Sequence, residues 1–269
     1  MKTPIKLKRS EFLQSLAAMS ALPVFGSACS KSTKNVESST PNTVDVDTAT
    51  GWATGGTAAM VDKANYPSPF DDAVECFLLS KATLGPCTTV DPMIRVDISE
   101  GWDGLPVRLG LKILDGSCQP LANAVVRIWH TNNEGSYSGQ TPRNDFCLLD
   151  QDYASENFAR GRQVTDENGV VFFDTCFPGW YPGRAIHIHI QVLINDESLC
   201  ESQLFFPEEI IQEIFAEHPA YQRFGQPDTS FQQDFFSSDV DASEWERHFL
   251  SVEQMSDGAM LSGKTIQVS

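Results

Sequence analysis

The ten residues 185–194, AIHIHIQVLI, restrict the fold more than any other part of this chain. Side chains on a strand alternate between faces, so Ile186, Ile188 and Ile190 point one way while His187 and His189 point the other. The isoleucine face needs an apolar layer to cover it. The other face brings two imidazoles to one spot. Taken alone, His-x-His fits either a hydrogen-bonded pair at a sheet surface or a pair of metal ligands, so the neighbouring residues decide its meaning.

The rest of the chain supplies the covering layer. The segment PVRLGLKILDGSCQPLANAVVRIWHT reads as two strands: Val107, Leu109, Leu111 and Ile113 alternate, a Gly-Ser turn follows, and residues 125–129 resume the apolar character. In GRQVTDENGVVFFDTCF, Asn168-Gly169 lies between two β-rich runs and predicts a hairpin. QLFF is a further short strand, and GAMLSGKTIQVS is expected to hold the last one. PEEIIQEIFAEH reads as a helix, with Pro207 at its start and acidic residues in its first turn. A chain of 269 residues, 41% hydrophobic, supports one sizeable core rather than two. The expected fold is all-β: a β-sandwich with short helices and long active-site loops, over residues 65–269.

The start of the chain reads differently. Lys2, Lys6, Lys8 and Arg9 precede a moderately apolar run too short for the roughly 20 residues that cross a bilayer, so residues 1–28 are expected to be an export signal. Gly26-Ser27-Ala28-Cys29 resembles a bacterial lipoprotein cleavage box, with glycine where leucine is usual, and makes Cys29 a candidate lipid attachment point. Residues 29–64, rich in Ser, Thr, Gly and Asn, are expected to form a flexible tether. The expected location is periplasmic or at the cell surface.

The formal charge is −17, and removing residues 1–28 makes the remainder more acidic still, which argues against a nucleic-acid partner. Beyond Cys29 the chain has six cysteines: Cys76, Cys87, Cys118, Cys147, Cys176 and Cys200. An even number in an exported chain points to disulfides, whose pairing the sequence leaves open. The absence of any C-x-x-C spacing disfavours a zinc or iron-sulfur site.

Two tyrosines change the weight of the histidine pair. Tyr181 lies in PGWYPG, a loop held close to the strand, and Tyr137 follows a strand end in WHTNNEGSYSG. Phenolate is a hard, strongly donating anion that suits ferric iron, whereas zinc and cuprous copper favour imidazole and thiolate. With two phenolates and a hydroxide, Fe(3+) forms a neutral site.

These residues resemble the intradiol ring-cleavage dioxygenases, non-haem ferric enzymes of the catechol and protocatechuate types, and in particular their exported single-chain branch. The resemblance rests on IRVDISEGWDGLPVRLGLKILD, ANAVVRIWHTNNEGSYSG, GRQVTDENGVVFF, FPGWYPGRAIHIHIQV and QLFFPEE, in the family's order, together with RSEFL in the leader. It implies that Tyr137, Tyr181, His187 and His189 are iron ligands, with Tyr181 the one that substrate displaces. It also implies that Arg184 and Gln203 are active-site residues. The implied reaction opens a catechol-type ring between its two hydroxylated carbons with O2, giving a muconate-type dicarboxylate.

One departure is LGPCTT where relatives commonly have EGPYY, which puts Cys87 where an aromatic residue is expected at the pocket rim and bears on substrate preference. His130 belongs to the motif, yet strand alternation sends it away from the metal if Trp129 faces the core. The alternative reading is a cell-surface aromatic-binding sandwich module without turnover; a copper or zinc oxidoreductase would leave both tyrosines unused.

Overall fold

The computed structural model describes residues 51–70, 76–89, 91–139 and 146–269, all within one compact unit that spans Asn42–Ser269. The export signal expected over residues 1–28, Cys29 and the tether up to residue 50 lie outside the described residues. Among the described residues no helix is long and apolar enough to cross a membrane.

Among the described residues, eight strands form two four-stranded sheets. The first sheet has the order β4-β1-β8-β7, from β1 (Pro106–Leu114), β4 (Val170–Cys176), β7 (Ser251–Gln254) and β8 (Met260–Gln267). β1 and β8 run parallel and the other pairs antiparallel. The second sheet is antiparallel throughout, with the order β3-β2-β5-β6, from β2 (Val125–Trp129), β3 (Arg160–Val164), β5 (His187–Ile194) and β6 (Glu197–Phe205). The expected β-sandwich is thus what the chain forms.

The core lies where the alternation places it. Val107, Leu109, Leu111 and Ile113 of β1 meet Val126 and Ile128 of β2 and Ile188, Ile190 and Val192 of β5, all without solvent exposure. Each such side chain contributes about 1.5–3 kcal/mol through burial. The inward isoleucines of β5 leave His187 and His189 on the outer face of the second sheet, beneath loops.

The Asn168-Gly169 turn does not close a hairpin. It is locally tight, with Asp166 accepting from Gly169 and donating to the Val170 carbonyl. β3 then pairs with β2 while β4 pairs with β1 in the other sheet. The turn is a corner of the sandwich: Ile113 donates to the Gly169 carbonyl and Thr165 to that of Ala124, so the two arms are claimed by different sheets. The hairpin within the second sheet is β5–β6, turned by Asn195 and Asp196, both at positive φ, and the short strand expected at QLFF is the end of the nine-residue β6.

The expected helix forms as α1 (Glu208–Glu217), entered through Pro207, and a single short turn follows as α2 (Phe235–Ser238). Residues 51–64, expected to belong to the tether, are instead packed on the sandwich. Trp52 and Ala53 are buried, the Trp52 indole N–H donates to Glu213 at 3.0 Å, and Ala53 donates to the Gly258 carbonyl. Trp52, Ala53, Ala59 and Met60 anchor a stretch whose average composition looks unable to fold. Of the six cysteines, Cys76–Cys118 and Cys87–Cys147 are disulfides. Cys176 and Cys200 are buried free thiols, pushed up to about 12 by burial.

Candidate active site

The strand register lays out the floor of the site. Trp129 of β2, His189 of β5 and Gln203 of β6 are successive cross-strand neighbours, and His187 pairs with Phe205 in the next row; such partners share a face. The Trp129 ring stacks on His189, with centroids 4.9 Å apart and planes 3° from parallel. The two tyrosines come from loops, Tyr137 after β2 and Tyr181 between β4 and β5. These loops interlock: Gly179 donates to the Asn132 carbonyl, and Thr131 donates to that of Gly179. Gly135 sits at φ +86°, where a Cβ would come within 2.0 Å of the Trp180 carbonyl oxygen, so only glycine fits. Above His189, Gly85 at φ +73° approaches the ring so closely that a Cβ would stand 3.3 Å from it.

The four expected ligands point at one spot. The Tyr137 hydroxyl is 3.4 Å from that of Tyr181 and 3.2 Å from His187 Nε2. The Tyr181 hydroxyl is 3.4 Å from the same nitrogen, and the Nε2 atoms of His187 and His189 are 3.2 Å apart. His187 Nδ1 donates to the Ala185 carbonyl at 2.6 Å, which leaves a lone pair on its Nε2 facing the others. His189 Nδ1 is buried without a hydrogen-bond partner among the described residues.

Burial controls the protonation of this cluster. It holds His187 well below the ordinary imidazole range and His189 at about 3, with the Arg184 charge adding to both shifts. Burial likewise raises the phenols of Tyr137 and Tyr181, against the pull of Arg184. At neutral pH the protein alone therefore offers two neutral imidazoles and two phenols. No group of three or more His, Cys, Asp or Glu residues suited to a metal occurs among the described residues; the convergent set is mixed, two histidines with two tyrosines. That mixed set fits a hard, highly charged cation, because such an ion turns phenols into phenolates and shares the converging lone pairs.

Arg184 and Gln203 join the same site. Arg184 Nη1 donates to the Tyr181 hydroxyl at 3.0 Å and Nη2 to Gln203 Oε1. His130 does not join. It is buried and bonds to the Thr131 carbonyl and the Thr175 hydroxyl. Cys87, expected at the rim, is tied to Cys147 and packs with Leu84, Trp129, Tyr137 and Tyr181. In place of an aromatic ring this rim carries a covalent link between the segment over His189 and the loop of Tyr137, whose backbone N–H donates to the Cys147 carbonyl at 3.0 Å.

Two buried charges escaped the sequence reading. Arg160, lowered to about 10 by burial and still a cation at neutral pH, donates to the carbonyls of Cys87 and Ser138 and to the Ser138 and Thr89 hydroxyls. It clamps the disulfide segment to the Tyr137 loop. Asp234 forms an ion pair with Arg184 at 2.9 Å. Neither has a periodic or motif signal, since their partners lie far off in sequence.

Comparison with known proteins bears on the fold and the family. Residues 93–230, just over half of the chain, match the family model described as "Dioxygenase". An intradiol ring-cleavage dioxygenase from Tetranychus urticae superposes with a TM-score of 0.63 at 28% identity, over 72% of this chain and 95% of that one. The dioxygenase domain of a dioxygenase and carbohydrate-binding protein fusion from Streptomyces sp. SirexAA-E shares the fold, with a TM-score of 0.50 and 18% identity over 71% of this chain and 97% of that one. A chlorocatechol 1,2-dioxygenase from Rhodococcus opacus is 28% identical over 113 residues, 35% of this chain and 40% of that protein, so the chain matches less than half of that relative's length.

Fold and matched residues together place the chain in a dioxygenase family built on a β-sandwich. Within that class the chain belongs to the intradiol ring-cleavage family, whose members act on catecholic substrates with O2 and are generally Fe(III) enzymes.

Proposed function

We propose that this chain is a ferric intradiol dioxygenase that opens a catechol-type ring between its hydroxylated carbons with both atoms of O2, giving a muconate-type dicarboxylate. Tyr137, Tyr181, His187 and His189 would hold the iron. Bound ferric iron supplies a Lewis acid that draws electron density from a catecholate and readies the ring for oxygen. The observation that carries this reading is the convergence of the two hydroxyls and two Nε2 atoms beside an arginine bonded to one of those hydroxyls.

The protein's own groups have separable tasks. The His187 Nδ1 bond to Ala185 fixes the tautomer that presents Nε2. Tyr137 is almost fully buried and bound into the disulfide loop, so it suits a permanent ligand. Tyr181 is partly exposed, lies on the loop between sheets and accepts from Arg184. As the phenolate that bound iron would make of it, its oxygen would take a proton from an arriving catechol hydroxyl and become a free phenol. Gln203 accepts from Nη2 and so turns Nη1 toward the site, where the guanidinium charge favours negative charge building on the ring. Leu84, Trp129 and the Cys87–Cys147 link cover one side and limit water.

The two disulfides support an oxidising compartment. We place the domain outside the cytoplasm, with Cys29 as a lipid attachment point that tethers it to a membrane. Turnover of catechol under ¹⁸O2 tests the activity: two labelled atoms in a ring-opened dicarboxylate are expected. Tight catechol binding without oxygen uptake by the iron-loaded protein would contradict it and leave a binding module.

A further inference from the structure

Asp234 precedes α2 in the stretch FQQDFF, and none of its surface reaches solvent. Its two carboxylate oxygens are divided between tasks. Oδ1 accepts from the Phe236 backbone N–H at 2.8 Å, an ordinary helix cap. Oδ2 accepts two N–H groups from outside α2, Arg184 Nε at 2.9 Å and the Ala185 backbone at 2.7 Å. A cap alone would need only the first oxygen.

The two outside donors lead to the two halves of the site. Arg184, anchored at Nε, directs Nη1 to the Tyr181 hydroxyl and Nη2 to Gln203, while the Phe235 ring lies 4.3 Å below the guanidinium carbon. Ala185, anchored at its N–H, receives His187 Nδ1 on its carbonyl. We infer that Asp234 is a positioning residue for ring cleavage, a buried carboxylate that sets the aim of Arg184 and, through the backbone of Ala185, the orientation of His187. This rests on the reading of the site given under Proposed function.

The chemistry requires a carboxylate at this position. Three N–H donors approach from two sides, and both oxygens accept. Asparagine has the same shape but one oxygen and one NH2, so whichever way it turns, an NH2 meets an N–H. It also removes the charge that balances a largely buried guanidinium, whose side chain is only 11% exposed.

The test has one arm that needs no variant. In ¹⁵N spectra of the full-length, metal-free protein, the Arg184 Nε–H and the His187 Nδ1–H are expected to exchange with water far more slowly than the Nε–H of Arg223, whose side chain is 61% exposed. Exchange of Arg184 as fast as that of Arg223 would overturn the inference. In Asp234→Asn both protected signals should be lost or shifted, and iron-dependent turnover of catechol should fall on the order of 10–100-fold. KM should stay within about threefold, as expected when an interaction of the transition state is lost. Lost turnover with both signals unchanged would also overturn the inference, because the effect would not pass through Arg184 and His187. Should Asp234→Asn not fold, the wild-type exchange rates decide. If wild-type protein cleaves no catechol, the proposed function fails, while the exchange measurements still decide whether Asp234 holds these two groups.

Discussion

At the scale of single residues, holding iron and turning over substrate fall to different side chains. Arg184→Leu leaves Tyr137, Tyr181, His187 and His189 unaltered and should keep the iron, the colour and the response to catechol. Its turnover should fall by about 10²–10³ for the loss of one preorganised charge. Arg184→Lys should rescue only in part, because a point charge cannot replace a planar fork bonded at Nε, Nη1 and Nη2. His189→Ala should lose iron and colour together. Metal content and steady-state rates on the same preparations check all three, and wild-type turnover by Arg184→Leu would remove the arginine from the site. His187 and His189 were legible in sequence because strand alternation forces them onto one face. Asp234 was not, because it reaches Arg184 and Ala185 across about fifty residues and belongs to no repeating pattern.

At the scale of elements, the two tyrosine loops are the sensitive parts. Gly135→Ala puts a methyl group into the Trp180 carbonyl at a positive φ, and should destabilise the fold by at least about 2 kcal/mol and lower iron occupancy. Urea unfolding and metal analysis check this, and an unchanged midpoint with full iron would contradict the interlock. The strands themselves were largely readable, since β1, β2, β5 and β8 carry plain alternation or apolar runs. Their partners were less so: Asn168-Gly169 has the local chemistry of a hairpin turn, yet hydrogen bonds from Ile113 and Thr165 draw its arms into opposite sheets. Turn residues specify a reversal of direction, and only packing specifies which sheet receives each strand. Residues 51–64 show the same limit from the other side, as a few buried side chains, Trp52, Ala53, Ala59 and Met60, outweigh a polar composition.

At the scale of the whole molecule, pH acts on the fold through buried histidines outside the ligand set. Burial lowers both His130 and His248 to about 4. The unfolded chain takes up these protons near pH 6.5 and the folded protein does not, so stability is lost as pH falls from about 6.5 toward 4 and levels off below. Each histidine can contribute about 3 kcal/mol to that loss. Urea midpoints should therefore fall steadily between pH 7 and 4.5, while the ring protons of His130 and His248 show no titration in the folded protein above pH 5; titration near pH 6.5 would contradict their burial as neutral groups. The central claim, that Tyr137, Tyr181, His187 and His189 together hold ferric iron, is tested most directly by the visible spectrum of the ferric-loaded protein without oxygen, before and after catechol is added. A strong visible band from phenolate-to-iron charge transfer, moving to longer wavelength with catechol, is expected. A protein that stays colourless after ferric reconstitution, and binds a single zinc or copper tightly in its place, would contradict it.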